Sequence, residues 1–128
     1  MSRGSRMRRV DELLRQVIAD EVERLKDPGL GFVTITGVET APDLRSSRVY
    51  YSVLGDEAQG RETQAALLRA ASRIRAVIGR EIRMKYLPEL RFERDPAIER
   101  GMRMEQILRQ LGEERVEGGD PQGDPQGG

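Results

Sequence analysis

The chain has 128 residues, with 22 basic and 22 acidic side chains, a hydrophobic fraction of 37% and an aromatic fraction of 4%. That length suits one ordinary domain, and the absence of cysteine and histidine excludes disulfide scaffolds, thiol nucleophiles, histidine triads and the usual zinc sites. No stretch is apolar for long enough to span a bilayer and no secretory apolar run follows Arg3, Arg6, Arg8 and Arg9, so a cytoplasmic location is expected.

From Arg8 to Lys26 the residues Val10, Leu13, Leu14, Val17, Ile18, Val22 and Leu25 recur at spacings of three and four. This predicts an amphipathic helix, stopped by Asp27-Pro28-Gly29. Two runs rich in β-branched residues follow, Gly31 to Val38 and Arg48 to Leu54, separated by Ala41-Pro42-Asp43. They read as an antiparallel pair of strands. Gly55 to Arg61 breaks the pattern and is expected to be a flexible link. Its glycines are spaced as in a phosphate-binding loop, but Arg61-Glu62 stands where lysine and serine or threonine are required.

A long helix is predicted from about Glu62 to Met84. At 100° per residue Leu67, Ala71, Ile74, Ile78 and Ile82 share one side, while Arg69, Arg73, Arg80 and Arg83 fall within about 80° of one another on the opposite side. Beyond Pro88, Leu90 to Arg94 reads as a third strand, and Met104, Ile107, Leu108 and Leu111 mark a short terminal helix. A single crossover helix between the second and third strands implies an α+β fold, a three-stranded sheet with helices packed on one face. The aromatic residues Phe32, Tyr50, Tyr51, Phe92 and Tyr86 are expected mainly in the core, with one tyrosine of the adjacent pair facing out.

The zero net charge resolves by segment. Residues 112–128 hold Arg115 against Glu113, Glu114, Glu117, Asp120 and Asp124, a net of −4, so residues 1–111 carry +4. The tail repeats Gly-Asp-Pro-Gln at 119–122 and 123–126 and is expected to be disordered. Between 69 and 85 stand Arg69, Arg73, Arg75, Arg80, Arg83 and Lys85 against Glu81, a net of +5. Guanidinium groups aligned along a helix can follow a phosphate backbone, each neutralised phosphate releasing a counterion. The alternative is a solvated face balanced by acids, for which Glu81 is the one local candidate. The basic side is therefore read as a nucleic-acid surface, with the arginines at 3, 6, 8 and 9 as a mobile arm. The acids, Glu21 and Glu23 near Arg24 among them, have the pattern of a solvated surface, and no paired carboxylates suggest acid–base catalysis. The chain contains no Gly-x-x-Gly loop of the kind with which KH domains clamp a backbone.

Several local motifs then fall in a familiar order: Arg9-Val10, Asp27-Pro28, Val33-Thr34-Ile35-Thr36-Gly37-Val38, Asp43-Leu44 and Arg48-Val49-Tyr50-Tyr51-Ser52, followed by Ala70-Ala71-Ser72-Arg73-Ile74-Arg75, Leu87-Pro88-Glu89-Leu90-Arg91-Phe92 and Glu99-Arg100-Gly101-Met102-Arg103-Met104. In order and spacing, residues 7 to 111 resemble bacterial ribosome-binding factor A. The resemblance implies a type II KH-like domain whose glycine loop is replaced by an Ala-x-Gly kink between two helices. That kink maps onto Ala70, Ala71 and Ser72, with serine in the glycine position, so the long helix is expected to divide near Ser72.

Residues 1–6 then form a flexible basic N-terminus, 7–111 the RNA-binding domain and 112–128 the disordered acidic tail. The implied role is late maturation of the small ribosomal subunit: binding of the free 30S subunit, contact with 16S rRNA and support of growth in the cold. It is a role without enzymatic activity, cofactor, metal, membrane or small-molecule substrate, carried out by a monomer. The RNA-binding residues expected are Arg69, Arg73, Arg75, Arg80, Arg83 and Lys85, with Arg8 and Arg9. A second reading is a protein-interaction module that uses the exposed face of the sheet.

Overall fold

The structure, a computed structural model, describes residues 4–118. The first helix, α1 (Ser5–Arg24), turns Leu14, Ile18 and Val22 inward, as the spacing predicts. It already begins at Ser5, within the stretch expected as a mobile arm; residues 1–3 lie outside the described residues. Two of its acids are buried as well. Asp11 accepts a hydrogen bond from the Thr40 backbone N–H at 3.0 Å, and Glu21 is 4% exposed.

Strands β1 (Val33–Thr40) and β2 (Ser46–Val53) pair antiparallel, with a bulge between Ile35 and Gly37. Thr36, the extra residue, donates its hydroxyl to Asp95 Oδ2 at 2.6 Å. The segment Gly55–Arg61 is not a link, since α2 (Glu57–Glu81) begins within it. Asp56 starts that helix by accepting from the Gln59 N–H at 2.9 Å, an N-cap that satisfies one of the helix's orphan donors.

The expected division at Ala70, Ala71 and Ser72 does not occur, because α2 is one helix through all three. Alanine is the strongest helix former, and serine lacks the backbone freedom that lets glycine interrupt a helix. Strand β3 (Glu89–Arg94) joins β2 in parallel, giving the sheet order β1-β2-β3, and α2 supplies the crossover that parallel pairing requires.

Helices α1 and α2 cover one face of this sheet. The core between them holds Leu14, Ile18, Ile35, Val49, Tyr51, Val53, Leu67, Ile74, Ile78, Leu90 and Phe92. On the other face the strand alternation places Arg48, Tyr50, Arg91 and Glu93. Two aromatic residues depart from expectation: Phe32 is 83% exposed and Tyr86 37%. Phe32 precedes β1 on the parity opposite to half-buried Val33, and Tyr86 lies in the loop after α2.

From Pro96 the chain forms a second unit, the helix α3 (Pro96–Gly118). Proline suits the first helical position, where its missing N–H would have no partner. The helix is longer than expected and takes in residues 112–118, which composition assigned to the disordered tail; the Gly-Asp-Pro-Gln repeat lies outside the described residues. Every member of the core cluster comes from Leu14 to Phe92. Truncation after Leu111 is therefore expected to leave the melting temperature of the first unit unchanged, and a scanning-calorimetry trace showing a large fall would contradict this.

Candidate nucleic-acid interface

The arginines of α2 are held in three different ways. Arg69 donates from Nε to Asp27 Oδ2 at 3.0 Å and from Nη2 to Oδ1 at 2.9 Å, a two-point clasp that fits the planar fork to a carboxylate. Asp27 belongs to the turn that ends the α1 region, and the same turn meets α2 twice more. Gln59 donates to the Gly29 carbonyl at 3.2 Å, and the Gly31 N–H donates to Thr63 Oγ1 at 3.2 Å. Arg69 thus fastens the turn to the helix.

The Arg69 guanidinium, aided by the Gly29 N–H, holds the Asp27 carboxyl below its ordinary range and is itself raised by Asp27. A carboxylate depressed in the folded state contributes stability above its unfolded value, about 4, and loses that contribution as pH falls through the folded value. Asp27→Asn should therefore melt below the wild type at pH 7, with the gap closing in melts taken at progressively lower pH below about 4. A constant gap would mean that the charge is not the source.

Arg75 points to the other end of the helix, donating from Nε to the Pro88 carbonyl at 2.8 Å and from Nη2 to that of Leu87 at 3.0 Å. It thereby fixes the loop between α2 and β3. Arg73 lies between these two positions, its Nε 3.2 Å from Glu21 Oε2. Arg24 approaches the other oxygen of the same buried carboxylate at 3.8 Å.

Glu21, Arg24, Arg73, Val77, Arg80 and Glu81 are among the residues lining a groove of about 380 Å³ between α1 and α2. A carboxylate kept from water in this way needs cationic partners. It holds one guanidinium from each helix at the groove while Arg73 stays 66% exposed, open to a further anionic partner.

The predicted site residues are therefore only partly brought together. Arg73 and Arg80 share the groove. Because α2 ends at Glu81, Arg83 and Lys85 leave the helical line and stand in the following loop. Arg8 and Arg9 are exposed in the first turns of α1, about 20 Å along its axis from Glu21 at 1.5 Å per residue. Arg8 there borders a hollow with Asp11, Arg15, Thr36 and Asp95.

Arg24 and Glu21, which the sequence reading placed on a solvated surface, belong to the groove; their i, i+3 spacing was the available signal. Arg45, whose guanidinium carbon lies 4.6 Å from the Tyr86 ring centroid, carried no signal at all. Among the described residues no helix is long and apolar enough to cross a membrane, and no group of three or more acidic, cysteine or histidine side chains could hold a metal ion.

Comparison with known proteins decides the family. The family model "Ribosome-binding factor A" matches residues 6–108. This chain belongs to the ribosome-binding factor A family. A ribosome-binding factor A of Desulfitobacterium hafniense is 44% identical over 110 residues, covering 85% of this chain and 88% of that protein. The crystal structure of ribosome-binding factor A from Thermus thermophilus superposes with a TM-score of 0.63 at 30% identity, covering 69% of this chain and 94% of the other. A homology model of Thermus thermophilus ribosome-binding factor A, as fitted into the electron cryo-microscopy map of a 30S complex, gives 0.57 at 31% identity, covering 67% and 91%. The α-β-β-α-β-α order found here is thus the KH-like architecture of ribosome-binding factor A.

Proposed function

We propose that the chain is a maturation factor that binds the free 30S subunit through 16S rRNA, assists late processing and folding of that RNA, and supports growth in the cold. The carrying observation is the groove in which Arg24 and Arg73 are held by buried Glu21 with Arg80 lining the same groove, on a chain whose Thermus thermophilus relative has been fitted, as a homology model, into a 30S complex. Arginines anchored at one nitrogen and exposed at the others are prearranged to receive phosphate oxygens, so less rotamer freedom is lost on binding. On the opposite face of the sheet Arg48 lies 3.7 Å from Glu93 and Arg91 3.7 Å from Glu89, one carboxylate to each arginine, whereas Glu21 alone faces both Arg24 and Arg73.

Such a factor acts without catalysing a covalent step: binding one rRNA arrangement better than its alternatives raises the population of that arrangement. The test is sedimentation of the protein with purified free 30S subunits and, separately, with intact ribosomes. Co-sedimentation with the former alone supports the reading, whereas equal association with both, or with neither, removes it.

A further inference from the structure

We infer that Tyr86 and Arg45 form a stacking platform for an unpaired nucleobase of the bound RNA, at the end of α2 beyond the basic groove. The inference rests on the RNA-binding reading above and narrows it to RNA that offers a single-stranded base beside the phosphates.

The platform is a partly exposed aromatic ring with two cations set over it. Tyr86 is 37% exposed, with the Arg45 guanidinium carbon 4.6 Å and the Lys85 ammonium 5.5 Å from its ring centroid. Both halves are braced from behind. On one side, Arg75 holds the carbonyls of Leu87 and Pro88, and Pro88 is fully buried, so the loop carrying Lys85 and Tyr86 is fixed.

On the other side, the turn before β2 is closed by the Leu44 N–H donating to the Ala41 carbonyl at 2.8 Å and by the Arg45 N–H donating to Asp43 Oδ1 at 3.0 Å. Leu44 sits within this turn in a left-handed conformation, φ 64°, one that residues with a branched side chain seldom adopt without a constraint from their surroundings. The Glu89 N–H donates to the Arg45 carbonyl at 2.9 Å and joins the two halves.

The chemistry of the pair selects its ligand. The Arg45 guanidinium, set over the Tyr86 ring, continues that stack onto the π-face of a base, any base having such a face. Arg45 and Lys85 supply charge for the phosphates on either side of it. Paired bases within a duplex keep their faces covered by their neighbours and offer the platform nothing but backbone. A groove that binds phosphate alone would not distinguish the two forms of RNA, whereas one that ends on this platform would favour an unpaired segment.

The experiment compares a mixed-sequence single-stranded decaribonucleotide with a blunt RNA duplex, by fluorescence anisotropy of the labelled RNA across a salt series. Tyr86→Ala is expected to weaken single-strand binding roughly tenfold, within the range found for loss of one base–aromatic stack. The salt slope and duplex binding should stay unchanged, since no ionic contact is removed. Tyr86→Phe, which keeps the ring, should bind as the wild type does.

A second readout does not depend on a truncation. The chain has no tryptophan, so Tyr86→Trp introduces a single reporter, which the single strand should quench and the duplex should not. Equal loss on both RNAs, no loss, or no quenching overturns the platform while leaving the RNA-binding reading in place. Wild-type protein that binds neither RNA would overturn that reading itself.

Discussion

Reversing charge at Arg73 and Arg80 together, with glutamate at both positions, is expected to remove most of the affinity for the 30S subunit. The logarithmic salt dependence of binding should fall by about 1.4 to 1.8, since each phosphate contact contributes about 0.7 to 0.9 to that slope. The structure adds a condition to this test. Arg73 Nε is 3.2 Å from Glu21, so Arg73→Glu brings a second carboxylate against one that is already buried, and breaking such a pair destabilises the fold. Loss of binding by that variant must therefore be read beside its melting curve.

Arg80→Glu with Arg83→Glu provides the independent arm, because it leaves the Glu21 pairings with Arg24 and Arg73 intact. A reduced slope in this second variant, at unchanged melting temperature, ties the basic end of α2 to RNA. Binding and slope equal to those of the wild type in both variants would move the contact surface elsewhere.

The largest effect on stability is expected at Ile74. It is fully buried and lies between Arg73 and Arg75 in sequence, so one turn of α2 carries both core and candidate interface. Ile74→Ala removes side-chain volume from a packed layer, a change that costs about 2–5 kcal/mol. For a domain of this size that corresponds to a fall in melting temperature on the order of 10 °C or more. Urea titration should show a lower midpoint with little change in the slope m. A loss below about 0.5 kcal/mol, the scale of a surface substitution, would mean that the position is not the core site described here.

Most of the fold was legible because burial leaves a periodic trace. The three- and four-residue spacing in α1, the alternation of Val49, Tyr51 and Val53, and the arc of Leu67, Ile74 and Ile78 all reappear in the core. The starts and ends of elements were less legible. The Asp56 cap moved the beginning of α2 into a segment whose glycines suggested a loop, and α3 continued into acidic residues whose composition suggested disorder. Ser72 is a case in which a family pattern pointed to a break and local helix preference prevailed.

The candidate interface was legible as charge but not as geometry. A helical wheel aligns Arg69, Arg73, Arg80 and Arg83, yet it says nothing of what other elements bring to them. Asp27, Glu21 and the carbonyls of Leu87 and Pro88 each engage one arginine from a distant part of the sequence. Arg45 meets Tyr86 only because β2 and β3 begin side by side, Ser46 opposite Glu89.

The parallel pairing of β2 with β3 also sets an order of assembly. Strands β1 and β2 lie close in sequence and can pair as soon as both exist, but β3 must wait for the 25 residues of α2 to be made and docked, a closure with a higher entropic cost. The loop that carries Lys85 and Tyr86 is anchored through Pro88 to the start of this last strand. A chain released only as far as α2 therefore has Glu21 and Asp27 to hold Arg73 and Arg69, but not the Leu87 and Pro88 carbonyls that hold Arg75. The loop of Lys85 and Tyr86 thus takes its final place only when the last strand closes the sheet.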